Sequence, residues 1–129
     1  MNSARILVID DHSINRKLFE SVLKSAGYDV SSEGDAMSGI SRARLEVPDL
    51  IIMDINLPEL DGLSATRQIK ADPVLRSVPV IAITAHATKE FENRSREAGC
   101  DGFITKPISP PAFLEAIRPH LSRVSARRD

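Results

Sequence analysis

The sequence lacks three features that would each point to a particular class of protein. With a single cysteine it cannot form an internal disulfide. Its 17 basic and 18 acidic residues give a net charge of -1 without a long block of one sign, which argues against direct contact with nucleic acid. Its N-terminal apolar run, ILVI, is far too short for a signal peptide or a membrane span. We therefore expect a cytoplasmic protein that binds neither DNA nor a membrane.

The length and composition suit a single compact soluble domain. With 129 residues, 42% of them hydrophobic and 27% charged, the chain can bury a sizeable core but is too short for a second one. We expect one domain over residues 1–129, with its core at about 5–121. Residues 122–129, which are rich in arginine, are expected to form a solvated, frayed C-terminal tail.

Hydrophobic periodicity predicts alternating strands and helices. Apolar runs predict strands at 6–9, 28–32, 50–53, 80–83 and 103–104, of which the second is the weakest. Helical spacing fills the gaps at 14–26, 36–45, 61–71, 87–98 and 110–121. In the first helix Ile14, Leu18, Val22 and Ala26 recur every four residues before Gly27, which suits the position just past a helix end. Continuously apolar strands separated by helices predict a doubly wound α/β domain, whose parallel sheet is covered on both faces.

Polar residues follow the predicted strands at the places where each strand ends. The run LIIMDINLP leads into Asp54, the first strand leads into Asp10 and Asp11, the fourth leads into Thr84, and Lys106 follows the fifth. In an open α/β sheet the ligand crevice lies beyond the carboxyl ends of the strands. We therefore expect these five side chains to converge on one edge of the sheet.

Three carboxylates, a hydroxyl and an ammonium at one edge predict a site for phosphoryl transfer. Repulsion among Asp10, Asp11 and Asp54 would be relieved by an oxygen-preferring cation such as Mg2+. Asp54 would attack phosphorus, while Mg2+ and Lys106 neutralise the phosphoryl oxygens and the Thr84 hydroxyl donates a hydrogen bond to one of them. Each residue also has an ordinary explanation, since aspartate caps helices, threonine suits strands and lysine is usually solvated. Their joint placement favours the functional interpretation.

Four segments, VIDDHSINR, LIIMDINLPELDG, AITA and GFITKPIS, resemble the receiver domains of two-component response regulators. The match covers about Arg5 to Leu121 in residue type, order and spacing. The resemblance implies a CheY-like, flavodoxin-like (βα)5 fold with strand order 2-1-3-4-5. It also implies that Asp54 accepts a phosphoryl group from a sensor histidine kinase or a histidine phosphotransfer protein, and that the altered surface then contacts a downstream protein target. The wider pattern is similar to that of stand-alone regulators of the alphaproteobacterial cell-division type.

The resemblance also implies finer roles at the metal site. Asp11 would be a direct ligand, Asp10 would act through a water molecule, and the backbone carbonyl of Asn56 would supply a further oxygen. Family members often have a cis peptide at the position of Lys106–Pro107, and the sequence leaves the isomer open. The histidines share neither a helical face nor metal-ligand spacing, which favours solvated side chains over a zinc site; they are His12, His86 and His120.

The predicted helix 87–98 is the expected output element because it is poorly anchored. Its only large apolar residue is Phe91, whereas the first helix has as its anchors Ile14, Leu18, Phe19, Val22 and Leu23. Since so little apolar area would be buried, a contact between the phosphoryl group and Thr84 could shift the helix. By analogy with the family's mobile aromatic, Phe103 would then turn inward. We expect partners to read the face formed by this helix, strand 102–105 and helix 110–121.

Other functions are compatible with parts of the pattern. A phosphohydrolase of the haloacid dehalogenase type also uses a nucleophilic aspartate with Mg2+, but Asn56 stands where that family has its general acid, and the nucleophile follows the third strand instead of the first. A flavodoxin-like FMN binder would need a Ser/Thr/Gly-rich phosphate loop where this chain has DDHS. A scaffold that ignores phosphate would not need the complete residue set. The chain could also be a receiver fragment of a larger regulator or hybrid kinase.

Overall fold

The computed structural model describes residues 4–55, 61–85, 88–106 and 108–128, with side chains as far as Leu121. Within these ranges it contains five strands, β1 (Arg5–Ile9), β2 (Asp29–Glu33), β3 (Leu50–Asp54), β4 (Val80–Thr84) and β5 (Gly102–Thr105). They alternate with the helices α1 (Ser13–Ser25), α2 (Ala36–Leu45), α3 (Gly62–Ala71), α4 (Lys89–Ala98) and α5 (Pro110–Arg128). Every predicted element is present, and the bounds differ by at most two residues except at the end of α5.

The strands form a parallel sheet in the order β2-β1-β3-β4-β5. This confirms the predicted doubly wound α/β fold and its order 2-1-3-4-5. The chain adds β2 on one side of β1 and then crosses to the other side for β3, so the direction of winding reverses between β1 and β3. In folds of this type the ligand crevice lies beyond the carboxyl ends of the strands at that reversal. Those strand ends are Ile9 and Asp54.

Helices cover both faces of the sheet. Successive side chains of a strand point to opposite sides, so each strand contributes to the core on both faces. On one face, side chains of β1, β3 and β4 pack with α1 and α5, among them Val8, Ile52, Ile83, Leu23 and Ile117. On the other face, the intervening side chains pack with α2 and α3, among them Leu7, Ile9, Ile51, Ile40 and Ile69. All residues of β3 and β4 are buried. This explains why both strands are apolar up to their last residue.

The buried face of α1 differs from the one that its four-residue repeat suggests. Ile14 and Leu18 are 74% and 60% exposed, so the expectation that both anchor the helix is wrong. Instead, Leu23 is fully buried, and the ring of Phe19 lies 5.1 Å from that of Phe113 on α5, measured between centroids. With 3.6 residues per turn, a step of four residues rotates by about 40° around the helix. The stripe therefore winds away from the core, and α1 presents part of it to solvent.

Local capping rules account for the starts of three helices and the end of one. The side chains of Asp35, Asp61 and Thr88 accept hydrogen bonds from backbone N–H groups in the first turns of α2, α3 and α4. At Asp61 the bond from the Ser64 N–H lowers the pKa of the carboxyl group, so this cap is charged at neutral pH. α4 ends at Gly99, whose φ of 102° is a left-handed conformation that glycine adopts readily.

The last helix continues beyond its predicted end. α5 runs to Arg128, over the stretch that the sequence predicts to be a frayed tail, so the predicted helix end at Leu121 is wrong. Residues 122–128 contain neither glycine nor proline to stop a helix. In the described part of the chain, no helix combines the length and apolarity needed to cross a membrane.

Candidate functional site

Asp10 and Asp54 lie at the carboxyl ends of two adjacent strands. β1 and β3 pair with Ile9 opposite Met53, so the next residue of each strand brings a carboxylate to the same edge. Asp54 is 3% exposed and Asp10 is 2% exposed. Burial of two carboxylates at one place is costly unless cations or hydrogen bonds compensate them. The strand register therefore creates a concentration of negative charge that the other groups of the site must offset.

Asp11 and His12 form a cluster with Asp10 and Asp54, and all four side chains are of types that can bind a metal ion. One donor atom from each of these residues lies within 4.8 Å of the others. Two ligands on opposite sides of Mg2+, each bound at about 2.1 Å, are about 4.2 Å apart, so small shifts would fit this donor set to one divalent ion. Carboxylate oxygens are ligands that Mg2+ prefers. The acidic pocket is thus compatible with Mg2+, while Asn56 lies outside the described residues.

Hydrogen bonds hold Asp10 against both β2 and α1. Its backbone N–H donates to the carbonyl of Glu33 at 3.1 Å. Its carboxylate Oδ1 accepts a bond from the N–H of His12 at 2.9 Å, and its backbone carbonyl accepts one from Arg16 Nη1 at 2.7 Å. Arg16 thereby brings a positive charge to the edge of the acidic cluster. Asp10 is fixed in position before any ion binds.

Lys106 and Thr84 reach the same edge from the neighbouring strands. Lys106 Nζ lies 3.9 Å from Asp54 Oδ1, and the Lys106 N–H donates to the carbonyl of Thr84 at 2.7 Å. Thr84 ends β4 and is 4% exposed, and the residue before it, Ile83, stands opposite Asp54 in the sheet. The structure therefore brings to one edge of the sheet the residues that the sequence places at strand ends, namely Asp10, Asp11, Asp54, Thr84 and Lys106.

Phe103 is half-buried on β5 and packs against α4. Its ring meets that of Phe91 edge-on, with centroids 6.1 Å apart and an interplanar angle of 85°. Of the residues of α4, all of them described, only Ser95 and Ala98 are buried. Weak apolar anchoring of α4 is thus observed as predicted. His86 and the isomer of the Lys106–Pro107 bond lie outside the described residues.

An apolar groove between α1 and α5 adjoins the acidic cluster. Lys106 belongs to the walls of the groove, together with apolar side chains that include Leu18, Phe19, Val22, Ile108 and Phe113. The sequence does not predict this surface, because the four-residue repeat of α1 places Leu18 in the core. The drift of the four-residue stripe around the helix was the signal that could have revealed it.

Two further neighbours of the site were not assigned from the sequence. The side chain of His12 is 67% exposed, as expected for a solvated histidine, yet it belongs to the acidic cluster; its place directly after the acid pair was the available signal. Gly62 begins α3, and a Cβ there would lie 2.5 Å from the carbonyl oxygen of Asp54 and 2.8 Å from Cα of Ile55. Gly62 therefore lets α3 approach the backbone that carries Asp54, and the DG pair before a helix was its signal.

Comparison with known proteins defines the class to which this fold and site belong. The family model of the response regulator receiver domain matches residues 6–118. The chain belongs to this family. It is similar to the polar-differentiation response regulator DivK of Brucella anthropi, with 42% identity over 116 residues that cover 90% of this chain and 94% of that protein. The resemblance to receiver domains, including the finer likeness to alphaproteobacterial regulators, is confirmed.

Two of the solved structures with this architecture illustrate the likeness. Chemotaxis protein CheY4 of Vibrio cholerae has a TM-score of 0.90 at 24% identity, covering 93% of this chain and 100% of that one, a likeness of fold alone. The receiver domain of the sensor histidine kinase PA1611 of Pseudomonas aeruginosa has a TM-score of 0.85 at 32% identity, covering 93% and 98%. That receiver domain has a magnesium ion coordinated in its active site cleft.

Gly62→Ala is expected to destabilise the protein by about 1–3 kcal/mol, because the new methyl group would overlap backbone atoms of Asp54 and Ile55. Urea unfolding followed by circular dichroism measures the change. Gly34→Ala is the matched control, since its Cβ would meet the Arg16 side chain at 3.1 Å and no backbone atom, and it should cost less than about 1 kcal/mol. Equal stabilities of Gly62→Ala and wild type would show that α3 does not need this close approach.

Proposed function

We propose that this receiver domain accepts a phosphoryl group on Asp54 from a phosphohistidine of a sensor histidine kinase or a histidine phosphotransfer protein. The observation that carries the proposal is the setting of the Asp54 carboxylate. It is 3% exposed, lies 3.9 Å from the Lys106 ammonium, and shares a cluster with Asp10 and Asp11. A carboxylate in this setting is a nucleophile with charge-balancing groups already beside it.

The proposed transfer forms one bond and breaks another. An oxygen of Asp54 bonds to phosphorus while the P–N bond to the donor imidazole breaks, and the imidazole keeps the electron pair of that bond. Lys106 neutralises charge on the phosphoryl oxygens, and the Thr84 hydroxyl donates a hydrogen bond to one of them. The product is an acyl phosphate, from which water later releases inorganic phosphate. On this proposal the domain acts on itself and does not turn over an external substrate.

Mg2+ is the cofactor that we propose for the acidic cluster. The groups that would hold it are the side chains of Asp10, Asp11 and Asp54 and the backbone carbonyl of Asn56, with Asp11 a direct ligand and Asp10 acting through water. The magnesium ion in the receiver domain of PA1611 supports this assignment. When bound, the ion supplies positive charge against the repulsion between the carboxylates and an incoming phosphoryl group.

The alternative functions receive less support from the site. The phosphate of FMN would meet Asp10 and Asp11 where a flavodoxin-like binder needs hydrogen-bond donors, and the family match disfavours a hydrolase of the haloacid dehalogenase type.

We propose one receiver domain with its core at about 5–121, located in the cytoplasm. The likeness to the receiver domain of PA1611 favours a second candidate, in which the chain is a receiver unit of a larger regulator or hybrid kinase.

Acetyl phosphate and Mg2+ together are expected to add one phosphoryl group to Asp54, which intact-mass spectrometry and peptide mapping would detect. Asp54→Asn should take up no label, because the amide is a poor nucleophile. Omission of Mg2+ should abolish labelling of the wild type as well, since the clustered acids would then repel the anionic donor. Labelling of Asp54→Asn to the wild-type level would show that the acceptor is another residue.

The groove between α1 and α5 is the surface on which we propose that the phosphoryl donor docks. A donor must bring its phosphohistidine to Asp54, and Lys106 lies within 3.9 Å of Asp54 while also lining the groove. An occupant of the groove therefore lies directly beside the acceptor. Exposed apolar side chains such as Ile14 and Leu18 suit a protein contact. The proposed occupant is a helix with an apolar stripe that carries the phosphohistidine.

Leu18→Glu should slow transfer from a protein donor by about tenfold, equivalent to about 1.4 kcal/mol, because it places a charge in an apolar contact. The assay uses a phosphorylated histidine phosphotransfer protein that is active on the wild type. Labelling by acetyl phosphate should be unchanged, since a small donor does not need the groove. Met37→Glu, on α2 and 56% exposed, is the matched control. An equal loss in both variants would contradict docking on the groove.

The two ends of α4 are held differently. The segment just past its C-terminal end is fixed, because Asp101 Oδ2 accepts hydrogen bonds from Lys70 Nζ at 2.9 Å and from the Val80 N–H at 2.8 Å. The N-terminal half contacts β5 through Phe91 and Phe103. A displacement of the segment between β4 and α4 would therefore move the N-terminal end of α4 more than its C-terminal end.

We propose that Thr84 and Phe103 form a switch, which depends on this difference between the two ends of α4. A bond between the Thr84 hydroxyl and the phosphoryl group draws in the segment that follows β4, and Phe103 turns inward as its contact with Phe91 is released. The face formed by α4, β5 and α5 then changes shape, and a downstream protein target binds it. A balance between two positions shifts tenfold for about 1.4 kcal/mol, which is within reach of one charge-assisted hydrogen bond.

Thr84→Ala is expected to separate phosphorylation from switching. Beryllofluoride, a stable phosphoryl mimic, should change amide hydrogen exchange of the wild type mainly in α4 and β5, and Thr84→Ala should bind the mimic while losing most of this change. Thr105→Ala is the matched control, because Thr105 stands opposite Thr84 in the sheet but is exposed. Exchange that responds as fully in Thr84→Ala as in wild type, or only in α1, would refute the coupling.

A further inference from the structure

His12 turns its side chain toward the acidic cluster although it occupies the capping position of α1. Its Nδ1 lies 3.1 Å from Asp11 Oδ1 and 3.5 Å from Asp10 Oδ1. A residue at this position often accepts a side-chain bond from the first helical turn, but within the described residues His12 makes no side-chain capping bond. The ring is 67% exposed, so burial does not fix its orientation. The two carboxylates are therefore the groups that orient it.

The position of this nitrogen allows it to share one ion with the carboxylates. Metal bonds to histidine nitrogen and carboxylate oxygen are each about 2.0–2.2 Å long, so ligands on opposite sides of an ion are about 4.2 Å apart. The donor atoms of the cluster lie within 4.8 Å of one another. Rotation of the exposed side chains of His12 and Asp11 can close the difference. The hydrogen bond from the His12 N–H to Asp10 Oδ1, at 2.9 Å, holds the backbone of His12 in place during this rotation.

We propose that His12 is a metal ligand that shifts the preference of this site toward first-row transition ions such as Co2+ and Zn2+. Imidazole nitrogen suits these ions, whereas Mg2+ prefers oxygen ligands and retains several waters. With Mg2+ the carboxylates suffice and His12 stays outside the coordination sphere. With a transition ion, Nδ1 of His12 joins the carboxylates. The inference rests on the metal site of the proposed function and adds a ligand to it.

A consequence is competition between ions at the phosphoryl-acceptor site. Divalent ions differ in affinity for nitrogen and oxygen sites, with the transition ions bound more tightly along the first row as far as copper. A nitrogen ligand widens the gap between these ions and Mg2+, which gains nothing from it. The identity of the bound ion would then depend on the supply of transition metal as well as of Mg2+.

Metal titrations of the full chain test the role of His12. Co2+, Zn2+ and Mg2+ are each added to metal-free wild type, His12→Ala and His12→Asn, with affinities measured by calorimetry. Both variants should lose about tenfold or more in affinity for Co2+ and Zn2+, while the affinity for Mg2+ should change by less than about twofold. His12→Asn retains a good helix-capping residue, so its loss does not arise from fraying of α1. The Co2+ absorption spectrum and the nitrogen chemical shifts of His12 with Zn2+ report ligation directly.

His120→Ala is the matched control. His120 lies on α5 beside Gly102, at the start of β5 and away from the carboxyl edge, so all three affinities should be unchanged. Unaltered Co2+ affinity in His12→Ala would overturn the inference, because His12 would then only pair with the acids. An equal loss of affinity for Mg2+ and Co2+ would also overturn the inference, because His12 would then only position the carboxylates. Failure of the wild type to bind Mg2+ would instead refute the proposed magnesium site.

Discussion

Repulsion between two buried carboxylates is the constraint on which the rest of the site depends. The parallel register of β1 and β3 places Asp10 and Asp54 at neighbouring strand ends, and both residues are buried there. The Lys106 ammonium, the His12 N–H and the Arg16 guanidinium all lie around this pair. Each partly offsets the negative charge, and a cation would complete the balance. A site arranged in this way can accommodate the further negative charge of a phosphoryl group.

Much of the fold could be predicted because its signals are local. A strand buried on both faces is continuously apolar, so LIIMD and VIAIT mark both the strand and the polar residue at its end. The convergence of Asp54 and Thr84 on one edge then follows from parallel pairing alone. Strand order could not be predicted in this way. Buried parallel strands have the same periodicity, and no local signal indicates which strands pair with each other. That part of the prediction came from resemblance to the family.

The remaining features depend on contacts between distant segments. Whether Leu18 is buried depends on where α5 lies, and the helical repeat of α1 does not contain this information. Gly62 matters because α3 approaches the backbone of Asp54, a contact absent from the DG dipeptide itself. The spacing of the histidines predicts that His12 is solvated and binds no metal. In the structure its neighbours are carboxylates on β3 and before α1, which this spacing does not reveal. Sequence patterns identified which elements form, and packing decided what each side chain meets.

The parallel topology also governs when a newly made chain becomes able to signal. Helices form from local contacts, but Ile6 must find Leu50 before β1 and β3 can pair, and such non-local pairing is the slow part of folding. The acidic cluster does not exist until then. Lys106 arrives later still, because it follows β5, the last strand to leave the ribosome. A nascent chain therefore lacks the complete set of site residues until its last strand has been made and has paired.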